Sequence, residues 1–243
     1  RSKVIFMDEP TDVESRIKRT GQPFDQFFAL EGIGIFQTQD EINKAPDQDG
    51  NGNQSIKPGD LKYLDYNNDG KIDGKDIHRV GKGDIPNVIF GFNLSMNYKG
   101  FDLTAAFQGA TGFQQYLRFD PFNLEANALA MFKDSWTPDN PGAKYPALYA
   151  GTRQNNRLSS SFWLYDATYL KLRNLELAYT IGKNELFRKA GIQHVRVFVS
   201  GNNLLRFSKM KDFDPETPNI NPDSKAYYYP QMKTYNLGVN VEF

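Results

Sequence analysis

The last eleven residues, Lys233 to Phe243, restrict the fold more than any other stretch. Tyr235, Leu237, Val239, Val241 and Phe243 alternate there with Thr234, Asn236, Gly238, Asn240 and Glu242. Side chains of a strand point to opposite faces in turn, so this ribbon is apolar on one side and polar on the other. A tilted strand needs about 9–11 residues to cross a bilayer, and this one has them. Apolar outside, polar inside and an aromatic at the rim is the repeating unit of an outer-membrane barrel. The same ribbon would also serve as the last strand of a soluble sandwich, so recurrence has to decide.

It recurs. Val88, Phe90, Phe92, Leu94, Met96 and Tyr98 share one face of a strand over 87–98. Lys99-Gly100 then makes a two-residue turn. Phe101, Leu103, Ala105, Phe107 and Gly109 follow on the partner strand, 101–110. Leu175, Leu177, Tyr179 and Ile181 line a strand over 168–181, and alternation extends that face upward through Arg173 and Lys171, beyond the hydrocarbon. Val195, Val197 and Val199 line a fourth strand, 193–203, and 233–243 is the fifth. The connections are unequal: short at 99–100 and 182–193, long at 112–167 and 208–232. Short periplasmic turns and long extracellular loops are characteristic of membrane barrels. The fold class expected is all-β, an antiparallel transmembrane β-barrel segment with long extracellular loops. Five strands do not close a barrel, and each unpaired edge group in lipid costs several kcal/mol. The missing wall is therefore expected from chain elsewhere.

Composition agrees. Twenty-nine basic residues balance twenty-nine acidic ones, which gives no field for nucleic acid. There is no cysteine, which removes disulfides, thiol catalysis and zinc held by sulfur. No run approaches the roughly 18 apolar residues of a membrane helix. Arg1 to Phe6 do not read as a signal peptide, so the chain is expected to be a piece of a longer one. In residues 1–86 the pattern suggests short strands at Val4–Met7 and from Phe24 into Gly32–Phe36, helical turns at 12–18 and 39–44, and a polar loop at 46–53. A helix is expected over Leu124–Trp136.

The sharpest local motif is Asp65 to Asp76. Asp65, Asn67, Asp69 and Asp73 occupy positions one, three, five and nine of a calcium-type loop. Gly70 stands where the backbone must turn, Lys71 offers a carbonyl, and Asp76 takes the place of the usual glutamate. A structural Ca2+ is expected; an ion-free, Asx-rich turn is the alternative. Nothing near the loop resembles a nucleophile. His78 and His194 read as surface residues, and Asp212, Asp214 and Glu216 as solvated charge in a polar loop, so no enzyme is expected. Phe113, Tyr116, Phe119, Phe122, Tyr145, Tyr149, Phe162, Trp163, Tyr227 and Tyr228 could stack on sugar rings, although packing within the loops is the plainer role for each.

Several segments together resemble a known family. They are Gly32-Ile33-Gly34-Ile35-Phe36-Gln37, Gly59-Asp60-Leu61-Lys62-Tyr63 with 65–73, Gly91 to Ser95, Tyr98 to Leu103, Phe107-Gln108-Gly109 and Trp136-Thr137-Pro138. Tyr169 to Leu175, Ser200 to Leu204 and Tyr229-Pro230-Gln231 with the final strand complete the set. In this order they resemble the C-terminal part of SusC/RagA-type TonB-dependent outer-membrane transporters. The resemblance implies a barrel of about 22 strands with a plugged lumen, the plug being N-terminal and absent from this chain. It further implies a SusD-like surface lipoprotein as lid, energy through TonB, and oligosaccharide or peptide cargo. Phe243 resembles the signal read by barrel-assembly machinery. The rival reading is a secreted, soluble, calcium-stabilised carbohydrate-binding β domain.

Overall fold

In a computed structural model, residues 2–117, 129–149, 154–182, 185–217 and 231–243 are described. They divide into two units, one from 1–85 and 114–165, the other from 86–113, 166–217 and the chain beyond 228.

The second unit is one antiparallel sheet of five long strands: β5 (Val88–Tyr98), β6 (Phe101–Thr111), β9 (Tyr169–Ile181), β10 (His194–Ser208) and β11 (Thr234–Glu242). Their order is β11-β10-β9-β6-β5. Lys99 and Gly100 both take positive φ, 48° and 86°, which is the two-residue hairpin geometry matched to strand twist. A short helix, α2 (Glu185–Lys189), fills the connection before β10. β10 runs to Ser208, five residues past the alternation visible in the sequence.

The sheet has a fault that the sequence hides. Ala106 pairs with Asn174, but Phe107 pairs with Leu172, so Arg173 is an extra residue on β9. On β10 the register slips again between Asn202 and Leu205, where Asn203 has φ 54°. A bulge reverses which face the following residues occupy. Leu172 and Leu170 therefore join Phe107 and Gly109 on the apolar face, while Lys171 pairs beside Gln108 on the polar face. The expectation that Lys171 and Arg173 extend the apolar face is thus corrected.

The first unit has buried apolar clusters. Phe36, Ile42 and Ile56 form one cluster; Leu30, Leu61, Tyr63, Ile72 and Trp163 form another. Its strands are short: β1 (Phe27–Ala29) with β4 (His78–Val80), β2 (Gly32–Ile35) with β3 (Leu61–Tyr63), and β7 (Gln114–Tyr116) with β8 (Leu164–Asp166). Helix α1 (Gln39–Lys44) is capped by Thr38, whose hydroxyl accepts the Glu41 N–H at 3.2 Å. Val4–Met7 is not a strand, and 12–18 holds only single turns. Of the helix expected over 124–136, the described part is a 3-10 helix, Ala130–Asp134.

The free edge of β3 is completed by side chains. Leu61 N–H donates to Asn156 Oδ1 (2.8 Å), and Tyr63 N–H to Gln48 Oε1 (2.9 Å). The Leu61 carbonyl accepts from Gln48 Nε2 (3.1 Å) and Asn155 Nδ2 (2.8 Å). Amides from two distant segments thus do the work of a neighbouring strand, because buried backbone groups must be paired. Asp60, wholly buried, accepts from Lys57 N–H (2.8 Å) and Asn156 Nδ2 (2.9 Å).

Candidate functional site

Three features can carry function: the apolar face of the sheet, the Asp65–Asp76 loop, and a charged cluster at one end of β9.

The apolar face is open. Leu237 is 81% exposed and Val239 57%, with Phe92, Leu94, Met96, Leu177 and Val199 also exposed. Soluble domains rarely show so broad an apolar surface. These strands are not the inner walls of a dry sandwich; the first unit of the same chain buries its Phe36 and Leu61 completely. The opposite face is polar and internally paired. Arg196 meets Glu176 Oε1 at 2.6 Å through Nη2 and lies 3.8 Å from Asp102 through Nε, across three strands. Phe198 covers Gly238, where an added Cβ would strike its ring.

The Asp65–Asp76 loop winds as its spacing suggests. Gly70 has φ 83°. Asp65 accepts the N–H groups of Asp69 (3.2 Å) and Gly70 (2.8 Å); Asn67 accepts that of Asp69 (3.0 Å); Asp69 accepts that of Lys71 (3.1 Å); Asp73 accepts that of Lys75 (2.7 Å). The Asn67 amide donates to Asp69 (3.0 Å) and holds its carboxyl below the usual range. Asp76 is fully buried and closes the ring, accepting from Tyr66 N–H and Asp73 N–H, both at 2.8 Å. Asp47 straps the far side: its N–H donates to the Gly70 carbonyl (3.0 Å) and its carbonyl accepts the Ile72 N–H (2.8 Å). Among the described residues, no three acidic or histidine side chains converge on a common point.

His78 is not the surface residue expected. It is buried, with Nδ1 2.8 Å from the Asp76 carbonyl and Nε2 3.2 Å from Glu31, and its ring stacks on Tyr66 at 4.2 Å. His194 pairs with Glu242 at 3.0 Å. Among the described residues, neither histidine meets a nucleophile.

Asp214 and Glu216 are likewise not solvated charge. Lys171, 3% exposed, reaches Asp214 at 2.8 Å and also Glu216. Arg173 contacts Glu216 as well, and donates to Gln108 (2.8 Å), Asn203 (3.3 Å) and Gln231 (3.0 Å). Tyr169 donates to Glu216 at 2.8 Å, and Lys171 to Gln231 at 3.3 Å. Burial opposes ionisation of Asp214, yet hydrogen bonds from Lys171 and the Glu216 N–H outweigh it and leave its pKa lowered. Sequence reasoning missed this cluster because the bulge that turns Lys171 inward has no local signature.

Of the aromatics considered for stacking, Phe113, Tyr145 and Trp163 are buried, and Tyr116 and Phe162 are half-buried against the core. They serve packing. Phe119, Phe122, Tyr227 and Tyr228 lie outside the described residues.

A long-stranded antiparallel sheet, apolar outside and polar inside, defines the wall of an outer-membrane β-barrel. No family model matches the chain. It is 30% identical over 235 residues to the TonB-dependent receptor P26 of Formosa agariphila, covering 92% of this chain and 23% of that protein. It is 27% identical over 241 residues to the TonB-dependent receptor P3 of the same organism, covering 95% and 23%. It is 26% identical over 192 residues to the TonB-dependent receptor SusC of Bacteroides thetaiotaomicron, covering 77% and 18%. Its structure superposes on the RagAB peptide transporter with a TM-score of 0.64 at 25% identity, covering 93% of this chain and 23% of that one. The chain belongs with the outer-membrane TonB-dependent transporters of the SusC/RagA type. It spans about a quarter of the length of the curated relatives that it matches. Those relatives are receptors and a transporter rather than enzymes.

Proposed function

We propose that the chain supplies barrel wall and extracellular loops to a TonB-dependent importer of oligosaccharides or peptides, working with a SusD-like lipoprotein lid. The observation that supports this most is the open apolar face opposite an ion-paired polar face, on strands of membrane-crossing length. In this reading the Lys99-Gly100 turn is periplasmic, and the connections at 112–167 and 208–232 are extracellular. A peptide transporter among the similar structures favours peptide as one cargo class. The test uses the full-length protein in cells offered labelled oligopeptide and oligosaccharide pools. Uptake of one pool is expected, and loss of TonB should abolish uptake while leaving surface binding intact. Uptake that survives without TonB would reject energy coupling.

The second part of the proposal is a structural Ca2+ at Asp65, Asn67, Asp69, Asp73, Asp76 and the Lys71 carbonyl. Its support is the backbone: the positive φ at Gly70 and the strap from Asp47 keep the loop wound as its spacing suggests. The Asp76 oxygens already serve three N–H groups, so the ion would rely on the exposed carboxylates. Asp65→Ala with Asp69→Ala, or a chelator, should raise protease cleavage in residues 60–80 several-fold. Unchanged cleavage under both treatments would make this an ion-free Asx turn.

A further inference from the structure

The bulge at Arg173 turns two cations to the polar face, and what they hold is unusual. Asp214 and Glu216 lie just before residues 217–230, and Gln231 lies just after them. Lys171 Nζ contacts all three, and Arg173 contacts Glu216 and Gln231. Both feet of the β10–β11 connection are therefore tied to the same pair of side chains on β9. The incoming segment is braced further. Arg206 donates to the carbonyls of Phe213 (3.0 Å) and Lys211 (2.8 Å), the Ser208 hydroxyl donates to the Thr168 carbonyl (2.9 Å), and Met210 is buried.

Such an arrangement is expensive to build, since buried charges lose their hydration and must be fully paired to compensate. Every member here is paired: two cations meet two carboxylates, and Tyr169, Gln108, Asn203 and Gln231 take up remaining donors and acceptors. These partners are all groups of the chain itself, so the cluster fastens chain. Fastening by charge, where apolar packing would suffice, makes the fastening sensitive to each member.

We propose that Lys171 and Arg173 are positioning residues: a clamp that fixes Asp214, Glu216 and Gln231 to the polar face of β9, and on which uptake depends. The uptake clause rests on the importer reading; the clamp does not. Among the described residues, the charged and titratable groups facing it are Tyr169, Lys171 and Arg173 on β9, Arg206 on β10, and Asp214 and Glu216 in the connection.

The experiment uses the full-length transporter in lipid, with a nitroxide on a cysteine placed at Thr217 and a second, separate label at Asn240 on β11. Lys171→Met should increase motion at 217 several-fold and leave 240 unchanged; Lys171→Arg should keep 217 immobile. Glu216→Gln, which alters only the connection, should also mobilise 217, and it decides the matter if Lys171→Met loosens the whole sheet. Acid should mobilise 217 in the unmodified protein as Asp214, held below the ordinary aspartate range by Lys171, protonates, and should do little more in Lys171→Met. Uptake of the labelled pools should fall several-fold in both neutralised variants at equal surface abundance. An immobile label at 217 in both variants overturns the clamp. Mobile labels with unchanged uptake overturn its role in positioning. A protein that imports neither pool refutes the importer reading, and the label measurement still judges the clamp.

Discussion

Val239→Arg should destabilise the barrel in a bilayer by about 2–4 kcal/mol, while Asn240→Arg, one residue on, should cost little. Val239 lies in the middle of β11 on the apolar face, opposite Val197 and more than half exposed. Hydrocarbon around it must accept the guanidinium, so the loss reflects dehydration of a charge. Asn240 pairs with Arg196 on the other face, where water reaches. Urea titration of the full-length protein folded into vesicles measures both. A protein in water would give the opposite ranking or none, since an exposed position tolerates charge to within about 0.5 kcal/mol. Equal costs at the two positions would remove the lipid from the account of this sheet.

Gly59→Ala should open the first unit locally by about 3 kcal/mol. Gly59 has φ 95°, where an L-residue loses roughly 1–2 kcal/mol. A Cβ there would also strike the Ala147 methyl and stand 2.6 Å from Trp136 Cε3. Overpacking of this kind costs typically about 1–3 kcal/mol. The residue is hemmed in by backbone pairing as well: its N–H donates to the Phe36 carbonyl at 2.7 Å, and its carbonyl accepts the Ala147 N–H at 2.8 Å. Trp136 cannot step aside freely, because its indole N–H is bound to Gln37 at 2.8 Å. Hydrogen exchange at the Gly59 and Ala147 amides reads the effect, with a rise of about a hundred-fold expected from that free energy. Gly50→Ala is the control: its φ is 72°, but nothing lies within 4 Å. Matching changes at both glycines would mean that the contact with Trp136 contributes nothing.

The five long strands were legible because alternation persists over many residues and lipid demands it on every strand. The hairpin at Lys99-Gly100 was legible for the same reason that it forms: positive φ is needed twice, and glycine supplies one of the two. The first unit was legible only in part: the helix at 39–44 and a strand within 32–36 could be read, but the edge at 61–63 could not. Its β3 is three residues long and is completed by Gln48, Asn155 and Asn156, which in a sequence look like any polar loop. Pairing by side-chain amides leaves no periodicity to detect. The motif at 65–76 was visible because it is local, whereas the burial of His78 depends on Glu31 and Tyr66, two partners that no spacing rule connects. Asp214 and Glu216 were misjudged because their partners depend on register, and register is a property of two strands rather than one.

The extra residue at Arg173 gives β9 two halves that run out of step. Below it, odd-numbered side chains such as Leu175 and Leu177 face the hydrocarbon; above it, even-numbered ones such as Leu170 and Leu172 do. Straightening that joint with every residue kept would impose a single alternation on the whole strand, and would carry Lys171 into the oil and both upper leucines into the water. One amino acid thus lets a strand obey two solvents.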